Sequence, residues 1–232
     1  ENQRTQATNY NDMPVKTYDF QAPLGEFGQK NPHYFMLRKL HLFMHDYAEV
    51  LAPMESSFPC RQDIEKGDDS HLRWSLRSKD KSGFVFINNY ERLQQLSAKK
   101  NVQFEVCGVK FPQRPMTVPA GAMCIFPVNI DGIRYATAQL IAKRDGKIYL
   151  EQIKGIPTEI AVDGKVLKNV KAKGIAKPVY KNIYLVDSKT AEHLFLQKEG
   201  KSMMSLAPSF KKIKEAESVR KITMGVQKVA EE

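Results

Sequence analysis

Between Asn31 and Pro53 apolar side chains return at three- and four-residue steps, through Leu37, Leu40, Met44, Tyr47 and Leu51. That spacing gathers them on one face of a helix. Asn31 suits the N-cap, Pro32 the first helical position, where no amide bond is lost, and Pro53 cannot continue the turn. The pattern predicts a helix over 32–51 whose apolar face packs against something else. Ahead of it, the stretch to about Gln29 is rich in Asn, Gln, Pro and Gly without sustained periodicity, which predicts an irregular, extended loop.

After an acidic, Gly-containing link from Asp63 to Ser70 the period changes to two. Leu72, Trp74 and Leu76 alternate with Arg73, Ser75 and Arg77, the pattern of a strand with one wet face. Asp80 to Gly83 predicts a turn into Phe84–Ile87, an unbroken apolar run suited to a central strand covered on both sides. Three Asp-Gly pairs, at 131–132, 145–146 and 163–164, fit type I′ hairpin turns, which need positive φ at both central residues. They divide strands expected over 122–128, 133–142, 147–153 and 158–162, arranged as an antiparallel meander. A short helix from Asp187 or Ser188 through Leu196 follows. The fold expected is mainly β, an antiparallel β-sandwich-like domain over 63–200, with the loop and one long amphipathic helix before it (1–62) and a basic tail after it (201–232).

Composition narrows the function classes. Of 232 residues, 42% are hydrophobic, enough for a substantial core. No apolar run reaches the roughly 20 residues of a spanning helix, so no membrane is expected as a partner. The net charge of +10 is uneven: residues 164–232 hold 15 basic and 7 acidic groups and so carry +8 of it. A basic stripe attracts nucleic acid or anionic polysaccharide, but these lysines alternate with apolar residues, as on a solvated face, and nucleic acid is not expected. Cys60, Cys107 and Cys124 form no C-x-x-C pair, which points to buried free thiols rather than a zinc site or disulfide framework. No Ser-His-Asp or Cys-His motif, G-x-S-x-G elbow or Walker-type loop occurs, and no cofactor is expected.

The segment VKTYDFQAPLGEFGQKNPHYFMLRKLHLFM, from Val15 to Met44, resembles the end of the catalytic domain of family 35 glycoside hydrolases, best known as β-galactosidases. Thr17, Tyr18, Asp19, Ala22, Pro23, Glu26, Gly28, Tyr34, Leu37 and Arg38 fit the family's pattern, while Phe20, Gln21 and Gly25 replace its Tyr, Asp and Ser. LRWSLRSKDKSGFVFINNYERL, from Leu72 to Leu93, is similar to the first hairpin of the β domain in large bacterial members, and YATAQL, from Tyr135 to Leu140, to a later strand. The resemblance implies that the long helix is the last of a (β/α)₈ barrel, whose active site lies at the C-terminal ends of its strands. It further implies a retaining reaction by two glutamates about 5 Å apart, both upstream of this chain. No Asn-Glu dipeptide, the family's acid/base signature, occurs here, and about 60 residues cannot form a barrel of around 250. The chain is thus expected to support a missing catalytic barrel and to be inactive alone, in a parent that is exported and acts on galactose-containing oligo- or polysaccharide. No residue of the chain is expected to be catalytic.

Tyr18 and Phe20 lie where the resemblance places loop aromatics near the galactose pocket, and they are the candidate substrate-binding residues; anchoring of the loop explains them equally well. Asp19 and Glu26 are read as loop carboxylates that cap or pair. His41 and His45, spaced i, i+4, share a helix face but lack the glutamate of H-E-x-x-H and a third ligand, so metal is not expected. An alternative function is an autonomous carbohydrate-binding module with Trp74, Tyr90 and Tyr135 as a stacking platform, although Leu72 and Leu76 on the same strand face favour core packing of Trp74. Asn88 and Asn89 suit either a sugar hydroxyl or a turn. With the barrel missing, the helix residues Leu37, Leu40, Met44 and Tyr47 are expected either to fold back on the β domain or to stay exposed, and exposed they would promote association.

Overall fold

The structure, a computed structural model, describes residues 22–25, 28–58, 64–198 and 202–206, with 195–198 and 202–206 as backbone only. The expected long helix is present as α1 (Pro32–Leu51), with Pro32 in its first turn. Asn31 sits at the N-cap but makes no side-chain capping bond there; its Nδ2 donates instead to the Ala22 carbonyl at 2.5 Å and ties down the preceding loop.

Fourteen strands follow among the described residues. They are β1 (Glu55–Ser57), β2 (Arg73–Lys79), β3 (Ser82–Asn88), β4 (Lys99–Val106), β5 (Val109–Val118), β6 (Met123–Ile130) and β7 (Ile133–Ala136). Then come β8 (Gln139–Arg144), β9 (Lys147–Glu151), β10 (Ile160–Val162), β11 (Lys165–Leu167) and β12 (Ile183–Val186). A short helix, α2 (Ser188–Glu192), precedes β13 (Leu194–Lys198) and β14 (Ser202–Leu206). The largest sheet runs β1-β2-β3-β6-β7-β10-β11, a smaller one β12-β9-β8, and β4-β5 and β13-β14 are separate hairpins.

All three Asp-Gly pairs turn as expected. Asp131, Asp145 and Asp163 have φ of 51°, 49° and 50°, each followed by a glycine with positive φ, the signature of type I′. A fourth turn of this kind joins β4 to β5 with Cys107 at φ 52° before Gly108; no Asp or Asn marks it in the sequence.

Two cores flank the seven-stranded sheet. On one side Phe84, Ile125 and Ile133 meet Leu140 and Leu150 of the smaller sheet together with Phe43 and Tyr47 of α1. On the other, Val85, Ile87 and Phe126 lie under the β4-β5 hairpin, whose Phe104 and Phe111 are fully buried. β3 is thus a central strand paired on both sides, with Phe84, Val85 and Ile87 buried as its unbroken apolar run implies, while Phe86 is only half-buried and one face is uncovered at that end. Phe43 stands edge-on to Phe84 at 5.3 Å and stacks on Tyr47 at 5.5 Å, a geometry in which ring edges meet electron-rich faces.

The chain departs from a simple meander in three places. The strand expected over 133–142 breaks at Thr137 and Ala138, where Thr137 N donates to Glu159 O at 2.9 Å in line with the β7-β10 pairing and its Oγ1 donates to Pro157 O at 2.7 Å and accepts from Glu159 N at 2.8 Å. β8 thereby leaves the large sheet for the small one. β12 pairs parallel to β9, with Ile183 opposite Ile148, after the long segment 168–182 has carried the chain back. The helix expected to reach Leu196 stops at Glu192, and Leu194–Lys198 forms β13; Asp187 caps it by accepting from Thr190 N at 2.7 Å.

Candidate functional site

α1 carries apolar residues on most of its circumference between Met36 and Met44, so polar partners decide which side faces the sheets. Lys39 donates to both oxygens of Glu151, at 3.0 and 3.1 Å, and Glu151 is almost wholly buried at the end of β9. Asp46, also buried, pairs with Arg144 and accepts from Lys143 N at 2.9 Å. Tyr47 Oη donates to Asp131 Oδ2 at 2.9 Å, beside Lys143 Nζ, which holds the other oxygen. These bonds turn Leu42, Phe43 and Tyr47 inward. Of the face expected to pack, only Tyr47 is fully buried; Leu37, Leu40 and Met44 remain 38%, 44% and 40% exposed.

Those exposed residues, with Met36, wall a groove between α1 and the uncovered end of the large sheet. Its floor is built by strand alternation: Arg73 and Ser75 of β2 lie opposite Asn88 and Phe86 of β3, which lie opposite Met123 and Ile125 of β6. The cleft holds about 690 Å³, and a further hollow of about 490 Å³ continues it past Met44, Ala48 and Leu51, sharing Ser75 and Phe86. Together they run most of the length of α1.

Few polar groups interrupt the apolar lining. Glu151 reaches it already paired with Lys39. Cys124, between the floor residues Met123 and Ile125, belongs to the core on the opposite face of the sheet, and burial and then the Glu151 charge push its thiol up to about 12. Arg73 donates through Nη2 to Glu91 at 2.8 Å, while its Nη1 is buried without a partner. Such a lining receives apolar side chains and orients them by a few hydrogen bonds.

Tyr18 and Phe20 lie outside the described residues, as do Asp19, Glu26 and Cys60. His41 is exposed, and His45 Nδ1 lies 2.8 Å from Arg144 Nη2 and 3.2 Å from Asp46 Oδ1, within the contacts that hold the helix. Among the described residues, no group of three His, Cys, Asp or Glu is placed to hold a metal ion. Trp74, Tyr90 and Tyr135 form no platform. Trp74 is half-buried, edge-on to Phe104 at 5.2 Å; Tyr135 is buried against Phe111 at 5.0 Å and donates to Glu159 Oε2 at 3.0 Å; Tyr90 alone is exposed. Asn88 Oδ1 accepts from Tyr90 N at 3.0 Å. Asn89 is buried, and its Nδ2 holds Ser97 O at 3.0 Å and Pro119 O at 2.9 Å, a fastening role.

The free thiols divide: Cys124 is buried as expected, whereas Cys107, in its turn, is only half-buried. No helix among the described residues is long and apolar enough to cross a membrane.

Sequence reasoning missed the residues that shape the groove, chiefly Lys39, Glu151, Phe86 and Arg73. No local signal marks them: Lys39 stands beside Arg38 and two residues before His41, and nothing in that pattern tells which of the three reaches a buried carboxylate. No protein-family model, curated protein or solved structure matches the chain.

Proposed function

We propose that this chain is the β-rich supporting part of a β-galactosidase-like glycoside hydrolase and that the groove beside α1 receives the catalytic barrel. The carrying observation is the division of α1 into two sides. One is fastened to both sheets by Lys39, Asp46 and Tyr47. The other offers Met36, Leu37, Leu40 and Met44 to a cleft floored by Phe86. A contiguous apolar surface rimmed by polar groups suits a protein neighbour. The resemblance of 15–44 and 72–93 to family 35 enzymes supplies the identity of that neighbour, and in this reading Tyr18 and Phe20 belong to a loop beside the galactose pocket.

The reaction belongs to the whole enzyme, in which terminal β-galactosyl residues are cleaved with retention by two glutamates of the barrel. The chain's part is to hold the last barrel helix at a fixed angle. The test is hydrolysis of an aryl β-galactoside. The purified chain alone releases no aryl alcohol, and turnover returns when the barrel is supplied as a second polypeptide. Leu40→Glu, placed in the groove, reduces that recovery at least tenfold. Turnover by the chain alone, or recovery indifferent to Leu40→Glu, overturns the proposal.

A further inference from the structure

From Gly164 to Val186 the chain contains six lysines and no acidic residue or arginine. Lys165, Lys168, Lys171, Lys173, Lys177 and Lys181 are all exposed, while Val170, Ala172 and Val179 between them pack against the core. The segment is therefore a strap that runs from β11, at the edge of the large sheet, to β12, at the edge of the small one, with Val170, Ala172 and Val179 inward and its lysines exposed. Its course is held by backbone bonds, Val170 N to Thr158 O at 3.0 Å, Lys173 N to Leu185 O at 2.9 Å and Val179 N to Ile183 O at 2.8 Å. The two ends of the strap come together at one hairpin tip: Lys181 Nζ lies 2.5 Å from Asp163 Oδ2, and Lys165 also acts on that carboxylate. Lys147, on the neighbouring turn, sits over the Tyr184 ring at 5.7 Å.

Six like charges on one ordered strap repel one another; Asp163 offsets Lys181 and Lys165, while no ion pair holds Lys168, Lys171, Lys173 or Lys177 among the described residues. Binding a polyanion relieves that repulsion and releases the counterions condensed on the ligand. We infer that this strap binds a linear anionic polysaccharide, a sugar polymer bearing sulfate or carboxylate groups. This rests on the reading of the chain as part of a polysaccharide-degrading enzyme and adds the charge class of its substrate. Nucleic acid fits less well. Single-stranded bases favour open aromatic faces, and here the rings of Tyr180 and Tyr184 already have lysine ammonium groups over them.

The test measures binding of the full chain to a sulfated galactan, a neutral galactan and a single-stranded DNA at about 0.15 M salt, near physiological ionic strength. The sulfated polymer binds, weakening steeply as salt is raised; the neutral one does not, and DNA binds at least tenfold more weakly. The variant K168Q/K171Q/K173Q/K177Q loses at least tenfold in affinity for the sulfated polymer with an unchanged melting curve. A control of equal charge change on β2, the β2-β3 turn and the β4-β5 hairpin, K79Q/K81Q/K100Q/K110Q, changes it less than twofold. Equal losses in the two variants, DNA binding as tight as the polysaccharide, or no binding of the sulfated polymer each overturns the inference. The aryl galactoside assay uses a neutral substrate, so failure of the supporting-domain reading shows there and not here.

Discussion

Tyr135 is a phenol buried against a carboxylate. Its hydroxyl donates to Glu159 Oε2 at 3.0 Å, and the same oxygen accepts from Gln113 N at 2.9 Å. Burial, and then the negative charge of Glu159, hold the Tyr135 hydroxyl protonated well above its ordinary value, and burial with Asp131 does the same to Tyr47. The folded chain thus binds more protons than the unfolded one above the ordinary tyrosine value of 10.0. Stability falls as pH rises beyond that point and is unaffected by these groups below it. Tyr135→Phe is expected to cost about 1–3 kcal/mol at pH 7, the price of a buried acceptor losing a donor. It also makes the decline above pH 10 shallower; urea titrations at pH 7 and across the alkaline range check both. Tyr135 is marked in the sequence only as an aromatic in a strand. Its buried partner lies 24 residues on, across a sheet pairing that local pattern does not specify.

At the scale of elements, α1 shows what packing adds to periodicity. Phe43 is fully buried against Phe84 and Phe86, so Phe43→Ala leaves a cavity and is expected to cost about 3–5 kcal/mol. Leu40→Ala, on the groove side, is expected to stay within about 0.5 kcal/mol. Thermal or urea unfolding of the two variants separates them, and equal costs would refute the assigned orientation. The bounds of the helix were legible because Pro32 and Pro53 are local signals. Its orientation was not, because Leu37, Leu40, Leu42, Phe43 and Met44 give several adequate stripes and the choice is made by Glu151 and Arg144, about 100 residues away. The hairpins at the three Asp-Gly pairs were legible for the same local reason. The break at Thr137 and the parallel pairing of β12 with β9 depend on partners distant in sequence, and the groove, made by α1, β2, β3 and β6 together, shares that dependence.

For the molecule as a whole, the open groove predicts behaviour in solution. With Leu37, Leu40, Met44 and Met123 exposed along one cleft, the isolated chain is expected to self-associate as concentration rises. Sedimentation velocity over a hundredfold concentration range checks this: Leu40→Glu remains monomeric where the parent sequence does not, and a monomeric parent throughout counts against a sticky groove. The large and small sheets, the helix and the lysine strap place two distinct surfaces on one body, one apolar and one cationic. The fastening of α1 bears on where the chain divides. Lys39 reaches β9, Asp46 reaches β8 and Tyr47 reaches the β6-β7 turn, so the helix is bonded to both sheets while the side bearing Met36, Leu37 and Leu40 faces the open groove. The seam at which α1 parts from its surroundings thus runs in front of the helix rather than behind it. A cut at the end of the helix would sever these polar links to the sheets, whereas a cut before Asn31 severs bonds to the preceding loop, among them Asn31 Nδ2 to Ala22 O and Asn31 N to Pro23 O.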